Sequence, residues 1–199
     1  MTLSRKLQEY RAFLGAFVSK PMLTGSIVPS SSALARELLR HMDPEQVKLI
    51  VEVGPGTGAI THKILDSEKL RSRYFGLDIN PVFIEELRVL FPNTRFQAGS
   101  AEELDEFLRE AGLGKSDFIV SGLPWSLIRP HRQMRILKNI FDALDDNGEF
   151  VTFSYVHTPL MRFGRAFQRS LRAQFPSVRT SQIVWNNVPP AIVYRCRKN

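Results

Sequence analysis

The run Val51-Glu52-Val53-Gly54-Pro55-Gly56-Thr57-Gly58-Ala59 constrains this chain more than any other stretch. A β-branched segment enters a turn with glycine at alternate positions, and a helix-compatible sequence leaves it. Glycines let backbone approach a ligand closely, and a helix N-terminus offers unpaired N–H groups. Alone such a string is only a tight turn. Here Asp78 lies twenty residues beyond Gly58, at the end of the next strand-like run, where a carboxylate can accept ribose hydroxyls.

From Val47 onward, short β-branched or aromatic runs alternate with helical stretches, the pattern of an α/β domain on a largely parallel sheet. Strands are expected at Lys48–Val53, Tyr74–Asp78, Arg95–Ala98, Phe118–Ser121 and Phe150–Tyr155. Helices are expected at Thr57–Leu65, Pro81–Leu90, Ala101–Glu110 and Arg129–Ala143, each a crossover back to the sheet. Two late runs, Gln182–Trp185 and Ala191–Arg195, read as a hairpin that closes the sheet with an antiparallel edge strand. The 199 residues, 43% of them hydrophobic, suit one domain. We divide the chain into residues 1–30, an amphipathic helix and substrate/cofactor cap, and residues 31–199, the α/β domain.

The ligand follows from spacing and charge. Nicotinamide dinucleotides go with G-x-G-x-x-G, whereas this loop is G-x-G-x-G stiffened by Pro55. Glu52 just before the loop would repel a pyrophosphate but suits the cationic amino and sulfonium groups of S-adenosylmethionine. On these residues the chain resembles the class I S-adenosylmethionine-dependent methyltransferases, from Val47 to the C-terminus. The resemblance implies a Rossmann-like, mostly parallel seven-stranded sheet with an antiparallel C-terminal hairpin. It implies donor contacts from Glu52, Gly54, Gly56 and Gly58, from Asp78 and Ile79 at the ribose, and from Ser100 and Ala101 beside the adenine. The family often carries Asp where this chain has Ser100.

The fourth strand ends in Ser121-Gly122-Leu123-Pro124-Trp125, which resembles the N-x-P-aromatic motif of amino-group methyltransferases. Ser121, Gly122 and Leu123 are then expected at the donor, and Pro124 and Trp125 at the substrate. The motif's Asn would accept a hydrogen bond from a conjugated base amine, and Gly122 has no side chain. An aliphatic amine needs only to lose a proton and to be held in line, so Gly122 shifts the reading toward that substrate. Together with Lys20-Pro21, Thr24-Gly25, Pro29-Ser30-Ser31 and Trp185-Asn186-Asn187-Val188-Pro189-Pro190, these motifs resemble the bacterial phospholipid N-methyltransferases. That resemblance spans nearly the whole chain. It implies methylation of phosphatidylethanolamine and its methylated forms, with an ornithine lipid compatible, and Thr24 as a further donor contact.

Charge and amphipathicity bear on the partner. The net charge is +7, and from Phe150 to Asn199 there are eight Lys and Arg and no Asp or Glu. At about 100° per residue, Leu3, Leu7, Tyr10, Phe13, Leu14, Phe17 and Val18 share about 140° of arc. Between Pro159 and Phe175, Arg162, Arg165, Arg169 and Arg172 share about 80°, beside a stripe of Phe163, Phe167, Leu171 and Phe175 of about 120°. Such helices suit a membrane interface, apolar side chains toward acyl chains and arginines toward phosphates. The expected partner is a phospholipid surface with anionic lipids, without an obligate protein partner. The expected location is cytoplasmic, peripheral on the inner face of the membrane. The lone Cys196 and the absence of a signal or spanning segment in the sequence fit that compartment.

RNA would attract the same arginines, so an rRNA adenine or other amine methyltransferase is the alternative enzyme, and a basic binding module without chemistry the alternative of another class. Gly122 weighs against nucleic acid. Displacement at a sulfonium needs no metal, and S-adenosylhomocysteine would be the product. An amine comparable to lysine has a pKa near ~10 and must shed a proton. Tyr155 and His157 at the end of the fifth strand are the leading acceptors, with Tyr10 and His131 behind them. Arg129, Arg132, Arg135, Arg162 and Arg165 are candidates for a lipid phosphate.

Overall fold

In the computed structural model, residues 31–199 are described; the expected N-terminal helix, with Tyr10 and Thr24, lies outside them. The first helix, α1 (Ser32–Leu38), is capped by the Ser31 hydroxyl, which accepts from the Leu34 N–H. Strand β1 (Ile50–Val53) leads through the glycine turn into α2 (Ala59–Leu65), and a short α3 (Glu68–Arg71) precedes β2 (Tyr74–Asp78). Then follow α4 (Pro81–Leu90), β3 (Arg95–Ala98), α5 (Leu104–Glu110), β4 (Ser116–Ser121), α6 (Pro130–Ala143), β5 (Leu144–Tyr155), α7 (Arg162–Gln174), β6 (Ser177–Thr180) and β7 (Ala191–Arg197).

The seven strands lie in the order β3-β2-β1-β4-β5-β7-β6. Strands β1 to β5 pair in parallel, and β7 is antiparallel to both β5 and β6. The Rossmann-like α/β expectation holds. The hairpin is corrected in two ways. Its first strand is Ser177–Thr180, while Gln182–Trp185 is loop with a single bridge, Val184 to Ala191. The antiparallel strand is also interior: β7 sits between β5 and β6, so edge strand β6 runs with the parallel set. The β-like residues of Gln182–Trp185 serve the loop instead, and Ile183 and Trp185 are exposed.

Each face of the sheet carries its own core. On one, Val51, Val53, Leu77 and Ile119 pack against α5, α6 and α7. On the other, Ile50, Tyr74, Phe118 and Val151 pack against α1, α2 and α4. Alternation along β1 explains why Val51 and Val53 share one face and Ile50 the other. Helix α7 corrects the sequence reading. Its stripe of Phe167, Leu171 and Phe175 is buried against Trp125 and Phe150, so it faces the core and not acyl chains, while Arg162, Arg165, Arg169 and Arg172 remain exposed. The expected Ala101–Glu110 helix divides into a 3₁₀ turn at Ala101–Glu103 and α5. No helix among the described residues is long and apolar enough to cross a membrane.

Candidate active site

The strand order reverses between β1 and β4, and in open α/β sheets ligands bind at the carboxyl ends of the strands flanking such a reversal. Two loops leave there side by side. The Gly54 N–H donates to the Leu77 carbonyl at 2.8 Å and the Gly122 N–H to the Val53 carbonyl at 2.9 Å. The glycine turn and the 121–125 segment therefore share one anchorage, on neighbouring strands in register.

Within the turn the glycines have different tasks. Gly58, at φ 86°, caps α2 in the left-handed region, so the helix begins at Ala59 and not at Thr57. A Cβ there would lie 2.8 Å from Leu87. At Gly56, also left-handed, a Cβ would meet nothing within 4 Å, so the turn presents bare backbone to open space. Its N–H donates to Asp78 Oδ2 at 2.9 Å, and the Asn80 N–H donates to Asp78 Oδ1 at 2.8 Å. Burial raises the Asp78 pKa, with these two backbone hydrogen bonds opposing. One carboxylate thus ties the end of β2 to the turn and stands at the sheet edge beside half-buried Ile79.

Glu52 is fully buried, beneath the turn rather than on its surface. Its Oε2 accepts from the Tyr74 hydroxyl at 2.6 Å and the Thr61 hydroxyl at 2.8 Å. Its Oε1 has no hydrogen-bond partner among the described residues. Desolvation lifts its pKa to about 7, although both hydroxyls favour the carboxylate. A half-satisfied buried acid below bare glycine backbone, next to Asp78, fits a ligand bearing both ribose hydroxyls and positive charge. Tyr74 and Thr61 escaped the sequence reading, because strand and helix periodicity explains both without a role.

The 121–125 segment revises two expectations. Trp125 is only 2% exposed; its ring stacks on Phe167 with centroids 4.6 Å apart, and its Nε1–H donates to Thr152 Oγ1 at 2.8 Å. Thr152 in turn donates to the Ser121 carbonyl at 3.1 Å. The indole is core and offers no face to a substrate, a correction to its expected role. Buried Gln133 donates through Nε2 to the carbonyls of Trp125, Ile128 and Phe163, fastening this segment to α6 and α7. A single buried amide in an amphipathic helix has no sequence signature. Trp125→Phe is expected to cost about 2 kcal/mol, from lost volume and the lost indole hydrogen bond to Thr152, whose hydroxyl keeps its bond to the Ser121 carbonyl. Thermal denaturation checks the cost, and donor titration should show an unchanged affinity.

Gly122 has a steric requirement. A Cβ there would lie 2.6 Å from the Gly54 carbonyl oxygen. Half-buried Leu123 covers Gly54, its N–H donating to Ser121 Oγ at 3.2 Å, and Pro124 is half-buried beside it.

The remaining candidates are scattered along the carboxyl edge. The Ser100 hydroxyl accepts from the Glu102 N–H, capping the turn that begins at Ala101. Arg132 and Arg135 both pair with Glu102, one carboxylate shared between two guanidinium groups that remain partly exposed. Arg129, Arg162, Arg165 and His131 are exposed. The Tyr155 and His157 rings stack, with centroids 5.8 Å apart and planes 9° apart. They follow Thr152, which pairs with Ser121. Burial raises the Tyr155 pKa, which keeps its phenol neutral. A cavity of about 210 Å³ lined by His41, Glu149, Ser177, Arg179, Arg195 and Arg197 lies at the opposite edge of the sheet. There Arg195 is occupied by Glu149 and by the Glu37 and Leu38 carbonyls that end α1.

Comparison with known proteins agrees with this geometry. Residues 50–148 match the model of a methyltransferase domain family. Over 194 residues, 96% of this chain and 97% of the relative, the sequence is 30% identical to an ornithine lipid N-methyltransferase of Singulisphaera acidiphila. A TehB-like S-adenosylmethionine-dependent methyltransferase from Corynebacterium glutamicum superposes with a TM-score of 0.58 at 18% identity, over 99% of this chain and 98% of that one. The N-methyltransferase NodS from Bradyrhizobium japonicum gives 0.61 at 16% identity, over 82% and 93%. At those identities the two structures speak to the fold alone; the family rests on the full-length relative. The chain belongs to the class I S-adenosylmethionine-dependent methyltransferases.

Proposed function

We propose that this methyltransferase acts on the aliphatic amino group of a membrane lipid, an ornithine lipid or a phosphatidylethanolamine-type lipid. The observation that carries the reading is the 30% identity to an ornithine lipid N-methyltransferase along both chains. It supports a lipid amine in general and favours the ornithine headgroup no less than the phospholipid one. Gly122 adds to it: where base-amine enzymes of the resembling motif place an amide, this chain has no room for a Cβ. The work would take place at the inner surface of the membrane.

Bound S-adenosylmethionine supplies an electrophilic methyl group, which an in-line neutral amine can accept without a metal. The chain's part is to bind, orient and deprotonate. The bare backbone at Gly56 and the carboxylates of Asp78 and Glu52 form the donor cradle, with Ser121, Gly122 and Leu123 as its far wall. An ammonium with a pKa near ~10 must release its proton before attack. His157 is assigned that proton and Tyr155 a hydrogen bond to the amine, since the two stacked rings follow the fifth strand out of the sheet edge. His157→Ala should lower kcat on the order of 10²-fold while leaving the donor Kd unchanged. A kcat against pH profile of the variant should shift to higher pH, where the free amine deprotonates unaided.

The deciding experiment offers labelled donor in parallel to ornithine lipid, phosphatidylethanolamine and total RNA, followed by extraction and mass analysis. Label in lipid is the expected result, and the methyl count names the product. Label only in RNA would overturn the reading.

A further inference from the structure

We propose that the loop between β6 and β7, with the residues just before α7, is the surface that docks this protein on a bilayer containing anionic lipids. The proposal rests on the lipid reading above and names the face that the membrane meets. Trp185 is 69% exposed, Val188 72% and Leu160 83%, and Ile183 and Met161 are also exposed. Scattered exposed apolar residues are ordinary, but five in two neighbouring loops are not.

Topology brings the two loops together. Strand β6 runs with β5, so the β6–β7 connection and the β5–α7 connection leave the same, carboxyl edge of the sheet. Ala191 pairs with Tyr155 on one side and bridges Val184 on the other, and the Val156 N–H donates to the Pro190 carbonyl at 3.0 Å. The exposed loop therefore adjoins the strand end that carries Tyr155 and His157. A lipid amine drawn from a bilayer beneath this edge has a short path to them.

The exposure is also held in place. Asn187 is buried within the loop; its Oδ1 accepts from the Ser31 N–H at 2.9 Å and its Nδ2 donates to the Pro189 carbonyl at 2.7 Å. An internal amide pins the loop while the neighbouring Trp185 and Val188 point outward. An aromatic ring with a polar N–H suits the headgroup boundary, where one end is apolar and the other wet.

Charge selects the occupant. Arg162 and Arg165 are exposed directly after Met161, and no acidic residue follows Glu149. Helix α7 itself has no apolar face left to insert, because Phe167 and Leu171 are in the core. What remains is a set of apolar loop tips with two exposed arginines at the start of α7, complementary to an anionic interface. Of the other exposed apolar residues among those described, Val82, Val89 and Leu90 share α4 with Glu85 and Glu86, and Met134 is a lone one on α6.

Trp185 is its own reporter, since the second tryptophan, Trp125, is buried. The test uses the full chain with phosphatidylcholine vesicles, with and without phosphatidylglycerol, carrying brominated acyl chains. The spectrum of Trp185→Ala, subtracted from that of the wild type, isolates Trp185. The expected result is a blue shift and bromine quenching of Trp185 that require the anionic lipid, and vesicle binding about tenfold weaker for Trp185→Ala. Methylation of a detergent-dispersed lipid should be unaffected by that substitution. Vesicle binding with Trp185 unquenched would overturn the docking surface, as would shielding of Trp185 by RNA, or by raised protein concentration alone. Loss of lipid methylation in detergent by the wild type would instead remove the functional reading, so the two failures are distinct.

Discussion

Gly122→Asn is expected to abolish measurable methyl transfer and to weaken donor binding by about 100-fold. The motif resemblance makes it look like a repair, since it restores the amide of base-amine enzymes. The structure makes it a collision. The new Cβ would sit 2.6 Å from the Gly54 carbonyl oxygen, which belongs to backbone held in the left-handed region and covered by Leu123. Backbone fixed by the β1 and β2 hydrogen bonds cannot yield as a flexible side chain does, and overpacking of this kind costs on the order of 3 kcal/mol. Because the obstructed group is the first residue of the glycine turn, relief comes by displacing the donor cradle itself. Calorimetric titration with S-adenosylhomocysteine checks the affinity, and far-UV circular dichroism checks that the chain still folds. Native affinity in the variant would show that the two loops can separate and that Gly122 reflects substrate choice alone.

The contrast between those two readings of Gly122 shows where sequence stops. Strand and helix positions were legible because alternation and 3.6-residue periodicity are local: Tyr74–Asp78, Pro81–Leu90 and Arg95–Ala98 appear in the structure with the expected bounds. The glycine turn was legible because its geometry admits few residues. Trp125 and the apolar stripe of α7 were misassigned for one shared reason: they pack on each other. A stripe on a helix and an aromatic after a strand look alike whether they face solvent, lipid or a partner element, and only tertiary pairing decides. The pairing of Arg132 with Glu102 was not legible because the two are thirty residues apart in sequence. The hairpin was shifted because β-propensity in Gln182–Trp185 is satisfied by an exposed loop, while Ser177–Thr180 forms a strand through pairing with β7.

Glu52→Gln should reveal a conflict between stability and donor binding built into the first strand. With its folded pKa near 7, against 4.5 for the solvent-exposed carboxyl of the unfolded chain, Glu52 disfavours the folded state once ionised. For an acid whose pKa is raised by folding, the penalty is absent below the unfolded value. It grows as pH rises from 4.5 and is complete above about 7. That difference corresponds to about 3 kcal/mol. Glutamine cannot ionise, so the variant's unfolding free energy relative to the wild type should drift upward by about 3 kcal/mol between acid and mildly alkaline pH. Urea unfolding across that range measures it.

Donor binding should move the other way. A cationic donor favours the carboxylate form, so wild-type affinity should rise with pH, by up to about tenfold per unit below 7, and level off above it. Each binding event below that pH should then release protons, which titrations in buffers of different ionisation enthalpy can count. In Glu52→Gln both the pH dependence and the proton release should vanish, with weaker binding at pH 8. Proton release that persists in the variant would assign the titration to another group. On these terms the Glu52 Oε1, without a partner among the described residues, has a use: the buried charge that destabilises the free protein is what a positively charged donor would compensate.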